Sequence, residues 1–218
     1  MGAIPLPPKK SVQEHVRTQA EFLDNQLKPA LAEASQGRGH VFFLDAAHFV
    51  MGSFLCCVWC LARYMIRGGS GRKRYSVLGA WNAVKNELVS ITTDTVVNAE
   101  TMCALLQKIV SLGLSGPIRL VLDNARYQHC VQVMDLAKQL NIELLFLPSY
   151  SPNLNLIERL WRFVKKKALY ARHYNHFDGF KGAIDDCLSK VTTEHKKELR
   201  TLMTHNFQTF ENVSFLAA

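Results

Sequence analysis

The sequence predicts an α/β fold built on a mixed sheet, three antiparallel strands followed by parallel ones, with helices on its flanks. Three observations carry that prediction. Short apolar runs such as Ile118, Leu120, Val121 and Leu122 are too brief for helices and lie between turn residues, here Gly116-Pro117 and Asp123-Asn124. Residues 75–84 and 87–93 read as a hairpin about Lys85-Asn86. A strand, a helix and a strand follow one another with short connections over residues 118–147, which requires a parallel pair with a right-handed crossover.

Taken in order, residues 1–10 hold three of the seven prolines and two lysines and read as an extended arm. Residues 11–35 read as a polar linker helix with Phe22, Leu23, Leu27, Leu31 and Ala32 on its apolar face, broken near Pro29 and ended by Gln36-Gly-Arg-Gly39. The expected division is therefore an arm and linker helix over 1–39 and a single domain over 40–218, closing in a helical extension. Residues 41–44 form a buried strand that Asp45 interrupts. His48 reads as a packed or hydrogen-bonded strand histidine rather than a ligand. Asp94 and Asn98 are turn or cap residues for a helix over 100–112. Val131, Met134, Ala137 and Leu140 mark a second helix at spacings of three, and residues 142–147 form another buried strand. Pro152 and its flanking Ser and Asn residues make 149–155 a turn, with Asn155 as N-cap. Beyond it Ile157, Leu160, Trp161 and Val164 recur at the spacing of an amphipathic helix, with Trp161 in the core and Glu158, Arg162 and Lys165 along its flank. Antiparallel strands, then helix, strand, helix, strand, helix is the order of the ribonuclease-H-like fold.

A chain of 218 residues, 48% hydrophobic, can bury one sizeable core. Its longest apolar run, residues 54–62, is far short of the ~20 residues needed to cross a bilayer. Cys57 and Cys60 form a CxxC without a second ligand pair and read, with the other cysteines, as core residues of a reducing compartment. The formal charge is +8, and it is localised: eleven of the 26 basic residues fall in two acid-free segments, 63–74 and 159–172. The remaining 15 face all 18 acids. Two such segments beside candidate acids point to a polyanion, with Arg72, Lys73, Arg74, Arg126, Arg162, Lys165, Lys166 and Lys167 as phosphate contacts.

Asp45 lies in an apolar run, where a charge is costly unless paired. Asp123 ends a parallel strand, where α/β sheets gather their ligands. Glu158 follows Asp123 with 34 residues between them. Each has a structural reading: Asp45 at a bulge, Asp123 with Asn124 as a helix cap, Glu158 as a capping-box residue reaching back to Asn155. Together they read as metal ligands, because three converging acids repel one another unless hard cations neutralise them.

So placed, the acids make the sequence resemble the mariner-type superfamily of DDE transposases, in particular its bacterial insertion-sequence branch. The likeness rests on FFLDAAH around Asp45, LVLDNARYQH around Asp123 and LPSYSPNLNLIERLWRFVKKK around Glu158. It implies a ribonuclease-H-like catalytic domain with Asp45, Asp123 and Glu158 as catalytic metal ligands. It further implies two Mg2+ ions, with Mn2+ able to substitute, and Asn124 and Asn155 as supporting residues. DNA would be nicked by water and joined through a freed 3′-hydroxyl. Residues 51–73 would clamp a partner protomer in a homodimer, and the site of action would be the nucleoid of a bacterial cytoplasm. The family's helix-turn-helix modules do not fit in the 39 residues before the first strand, so the chain would be either a truncated copy or a catalytic half whose end recognition falls to a separately encoded helix-turn-helix half. The competing expectations are a ribonuclease-H-fold nuclease that only hydrolyses and an inactive DNA-binding remnant.

Overall fold

A computed structural model describes residues 9–52 and 73–208 of the chain. The proline-rich arm, the cysteine-rich run, Arg72 and most of the expected clamp therefore lie outside the described residues.

The first helical segment has three parts: α1 (Lys9–Phe22), a π-helical turn (Leu23–Leu27) and α2 (Lys28–Ser35). The turn precedes Pro29, whose missing N–H and bulky ring cannot continue an α-helical ladder. Gly37, at φ +74°, then closes the helix, its N–H donating to the Ala34 carbonyl. This segment is more than a linker. Phe22, Leu23, Leu27, Ala30, Leu31 and Ala34 are all buried in the core beside strand residues.

Five strands follow: β1 (His40–Val50), β2 (Arg74–Asn82), β3 (Glu87–Thr93), β4 (Ile118–Leu122) and β5 (Ile142–Phe146). Their spatial order is β3-β2-β1-β4-β5. The first three pair antiparallel, and β4 and β5 join parallel to β1, as the element order predicts. Asp45 is neither a bulge nor a turn residue: β1 runs straight through it, and it pairs with Gly79. The hairpin turn starts two residues earlier than the apolar pattern suggests. Asn82 is buried, and its Oδ1 accepts from the N–H groups of Val84 and Lys85.

Successive side chains of β1 point to opposite faces, and each face is covered. Val41, Phe43, Ala47 and Phe49 meet α1, α2 and the helices α5 (Ile157–Val164), α6 (Phe177–Ser189) and α7 (Lys196–Leu202). Phe42 and Leu44 meet α3 (Ala99–Val110) and α4 (Val131–Gln139). Asn98 caps α3 as expected, in a reciprocal box with Thr101.

The face of α4 differs from the expected one. Val133 and Ala137 are buried, whereas Val131 is 75% and Met134 42% exposed. A strict spacing of three falls behind the 3.6-residue turn, so the 131-134-137-140 row winds off the core; the buried row alternates threes and fours. Among the described residues no helix is long and apolar enough to cross a membrane.

Candidate active site

Three elements bring the predicted acids to one place. Asp45 stands mid-way along β1, Asp123 immediately follows β4, and Glu158 lies in the first turn of α5. All three line a single cavity of about 300 Å³ together with Asn124, Asn155 and the loop 147–152. They share that cavity without closing on one another: among the described residues no three His, Cys, Asp or Glu side chains form a tight ligand cluster. An open set of carboxylates suits Mg2+, which keeps several waters and takes one or two protein carboxylates plus substrate oxygens rather than a protein cage.

The electrostatics register the convergence. Burial, then the charges of Glu158 and Asp123, push the Asp45 carboxyl up to about 7, against hydrogen bonds from the Ala46 N–H and Trp161 that pull the other way. Burial also raises Glu158; Lys165 and Arg162 oppose that shift, and Asp123 adds to it.

Neither capping alternative is realised. Helix α5 has no side-chain cap: its N-cap position is Leu156, and the Asn155 N–H donates to Pro152 rather than meeting Glu158. Asn155 is instead 5% exposed and turned inward, its Nδ2 donating to the Leu44 carbonyl at 3.2 Å, next to Asp45. Its Oδ1 is buried and without a partner among the described residues. The Asn124 Nδ2 donates to the Leu147 carbonyl at 2.6 Å, tying the loop after β4 to the loop after β5. Asp123 does not cap α4; among the described residues its Oδ1 accepts only from the Ala125 N–H, at 3.3 Å.

Several contacts at the site have no signature in the sequence. Trp161 is in the core, as expected, but its Nε1–H also donates to Asp45 Oδ2 at 3.0 Å. Gly79, across from Asp45 on β2, leaves the space that the indole fills: a Cβ there would stand 2.7 Å from the ring. His129 stacks on Phe146 at 4.0 Å, its Nε2 3.1 Å from Asn124 Oδ1. With the Asn124 amide nitrogen already donating to Leu147, that Oδ1 is an acceptor, so Nε2 carries the proton. An indole or an imidazole satisfies a core pattern as readily as a functional one, so periodicity carries no signal for these contacts.

The predicted basic residues divide. Arg74, Arg126, Arg162 and Lys166 are exposed, and Lys165 lies near enough to Glu158 to oppose its shift. Lys167 is engaged, with Glu198 at 2.8 Å and the Phe163 ring at 5.5 Å, and Lys73 lies over the Phe177 ring. Arg159 holds three backbone carbonyls, those of Leu202, Thr204 and Asn206. His48 is hydrogen-bonded to Ser76 at 2.9 Å, as expected of a strand histidine.

Solved structures share this architecture. The Mos1 transposase paired-end complex with left transposon end superposes with a TM-score of 0.62 at 14% identity, over 95% of this chain and 68% of that one. The Mos1 mariner paired-end complex with Mn gives 0.64 at 14% identity, over 93% and 64%. The catalytic domain of Mos1 mariner transposase gives 0.57 at 14% identity, over 93% and 98%. The chain thus spans about two thirds of the longer Mos1 chains and nearly all of the catalytic domain. No curated protein matches the sequence. The family model described as DDE superfamily endonuclease matches residues 63–181, more than half of the chain, and takes in Asp123 and Glu158. On that match the chain, with its three acids in one cavity, belongs to the DDE superfamily endonucleases.

Proposed function

We propose that the chain is the catalytic domain of a transposase, cutting DNA beside a mobile element and joining the freed 3′ end to a new site. The observation that carries this reading is the cavity in which acids from β1, β4 and α5 meet. In it Asp45, Asp123 and Glu158 are the residues that would hold Mg2+, with Mn2+ able to substitute. When bound, two such ions neutralise charge on the attacking and leaving oxygens of the phosphodiester.

The chain's own residues prepare the site. The Trp161 indole donates to one oxygen of Asp45 and, with the Ala46 N–H, holds the carboxylate in place at the cavity. Asn155 locks the start of α5 to the end of the apolar half of β1, so the third acid is held against the first. Asn124 fixes the two loops that follow the parallel strands. Arg162 and Lys165 bring positive charge to the Glu158 side of the cavity, where a DNA backbone arrives. The Mos1 paired-end complex, which contains a transposon end, supports a DNA end as the substrate. A second copy of the chain and a helix-turn-helix module that reads the transposon ends complete the proposed assembly.

The test is incubation of supercoiled plasmid and end-containing duplexes with Mn2+ and the purified chain. Nicked and joined products are expected, both lost in Asp123→Asn. Nicks without joined products would replace this reading by a nuclease that only hydrolyses. Identical behaviour of Asp123→Asn and the parent would leave only a DNA-binding remnant.

A further inference from the structure

The cavity lining divides chemically. Beside the acids and amides stands an apolar group, Leu147, Pro148, Tyr150 and Pro152, contributed by the loop between β5 and α5. Within it Tyr150 has two properties that packing does not explain. Its backbone sits at φ +58°, a left-handed conformation that an aromatic residue rarely adopts. Its side chain is nonetheless displayed, the residue being 67% exposed at the mouth of the cavity.

The rest of the loop is held from behind. Gln19 of α1 is 2% exposed; its Nε2 lies 3.5 Å from the Tyr150 carbonyl, and its Oε1 accepts from Asn153 Nδ2 at 3.1 Å. The Ser151 hydroxyl donates back to the Ser149 carbonyl. A helix 131 positions away thus grips the peptide that presents the ring. Strained residues held in this way gather where a site needs a side chain in one place.

We infer that Tyr150 is a stacking platform for an unpaired DNA base next to the phosphodiester at the acids. This inference rests on the DNA reading above and deepens it. A nucleotide carries a phosphoester and a flat apolar base on one sugar, and the lining offers carboxylates for the one and an aromatic with two prolines for the other. Every base has a stacking face, so the platform is expected to tolerate any base and to favour unpaired over paired nucleotides. Gln19 is then a positioning residue for the platform.

The experiment uses the full chain, without added metal, and a short single-stranded oligonucleotide carrying 2-aminopurine at its centre. Wild type, Tyr150→Phe and Tyr150→Trp are expected to quench the probe on binding, since the ring and not the hydroxyl is used. Tyr150→Ala is expected to lose the quench and bind about tenfold or more weakly. Tyr150→Gly separates function from folding: relief of the positive φ raises the melting temperature while the quench is lost. Unquenched binding by wild type, or full quenching by Tyr150→Ala, would overturn the inference. Quenching by a wild-type chain that fails to nick plasmid with Mn2+ would overturn the proposed activity and leave the platform standing.

Discussion

Asp45, the buried acid of β1, shows how far single residues govern the site. Its carboxyl ionises near 7 in the fold and near the ordinary 3.8 in the unfolded chain, so between those values the folded state binds more protons. Stability from this group is complete below pH 3.8 and is lost as pH rises through 7. At 1.36 kcal/mol per pH unit the span from 3.8 to about 7 amounts to roughly 4 kcal/mol. Asp45→Asn is therefore expected to be more stable than the parent in metal-free buffer at pH 8, with the gain vanishing towards pH 4; denaturant melts across that range check it. Gly79→Ala tests the support from the other side. A methyl 2.7 Å from the indole must move Trp161, at a cost of about 1–3 kcal/mol. Asp45 then loses its donor, and its titration, followed by carbon NMR, is expected to move upward. The acids were legible because charges in apolar runs, and an acid ending a parallel strand, are anomalies. Gly79 was not, because a glycine in a strand says only that something comes close.

At the scale of the element, α5 joins a buried stripe, legible in the sequence, to a charged edge. Ile157, Leu160, Trp161 and Val164 are all buried, as their spacing requires. The charges need the tertiary structure, because Lys167 finds Glu198 on α7, 31 positions away. Arg162 and Lys165 make no ion pair among the described residues. Arg162→Ala is thus expected to lower the slope of log K against log salt for duplex binding by about one, whereas Lys167→Ala leaves it nearly unchanged. Fluorescence titrations at several salt concentrations distinguish the two. The N-cap role of Asn155 was misassigned for a related reason: a capping residue and a buried amide look alike in sequence. The Leu44 carbonyl that Asn155 meets is 111 positions away. The misread face of α4 has a simpler origin, since rows at a spacing of three and rows alternating three and four share half their members.

For the whole molecule, the order of elements predicted the sheet, its strand directions and both helical layers. It underrated the first helical segment, whose apolar face packs into the core rather than serving as a linker and whose Gln19 stands behind the loop at the cavity. The layers meet at the acids, so cation binding is expected to stabilise the entire fold. An ion held only by the native state raises stability by about 2.7 kcal/mol at a hundredfold excess over its dissociation constant. Mn2+ is therefore expected to raise the melting temperature of the parent and to leave Asp123→Asn unmoved, a comparison that needs no DNA. A rise of equal size in both would place the ion elsewhere.

The way the cavity is put together also sets a timetable for its synthesis. All five strands are complete at Phe146, twelve residues before Glu158, and the guanidinium of Arg159 finds its carbonyls only after Asn206 has been made. The sheet and its first two acids thus lie wholly ahead of the third acid in the chain, and the anchor of the third acid's helix lies later still. A chain ended between Phe146 and Glu158 would carry every strand and two of the acids, yet lack both the third acid and the helices α5, α6 and α7 that help cover one face of β1.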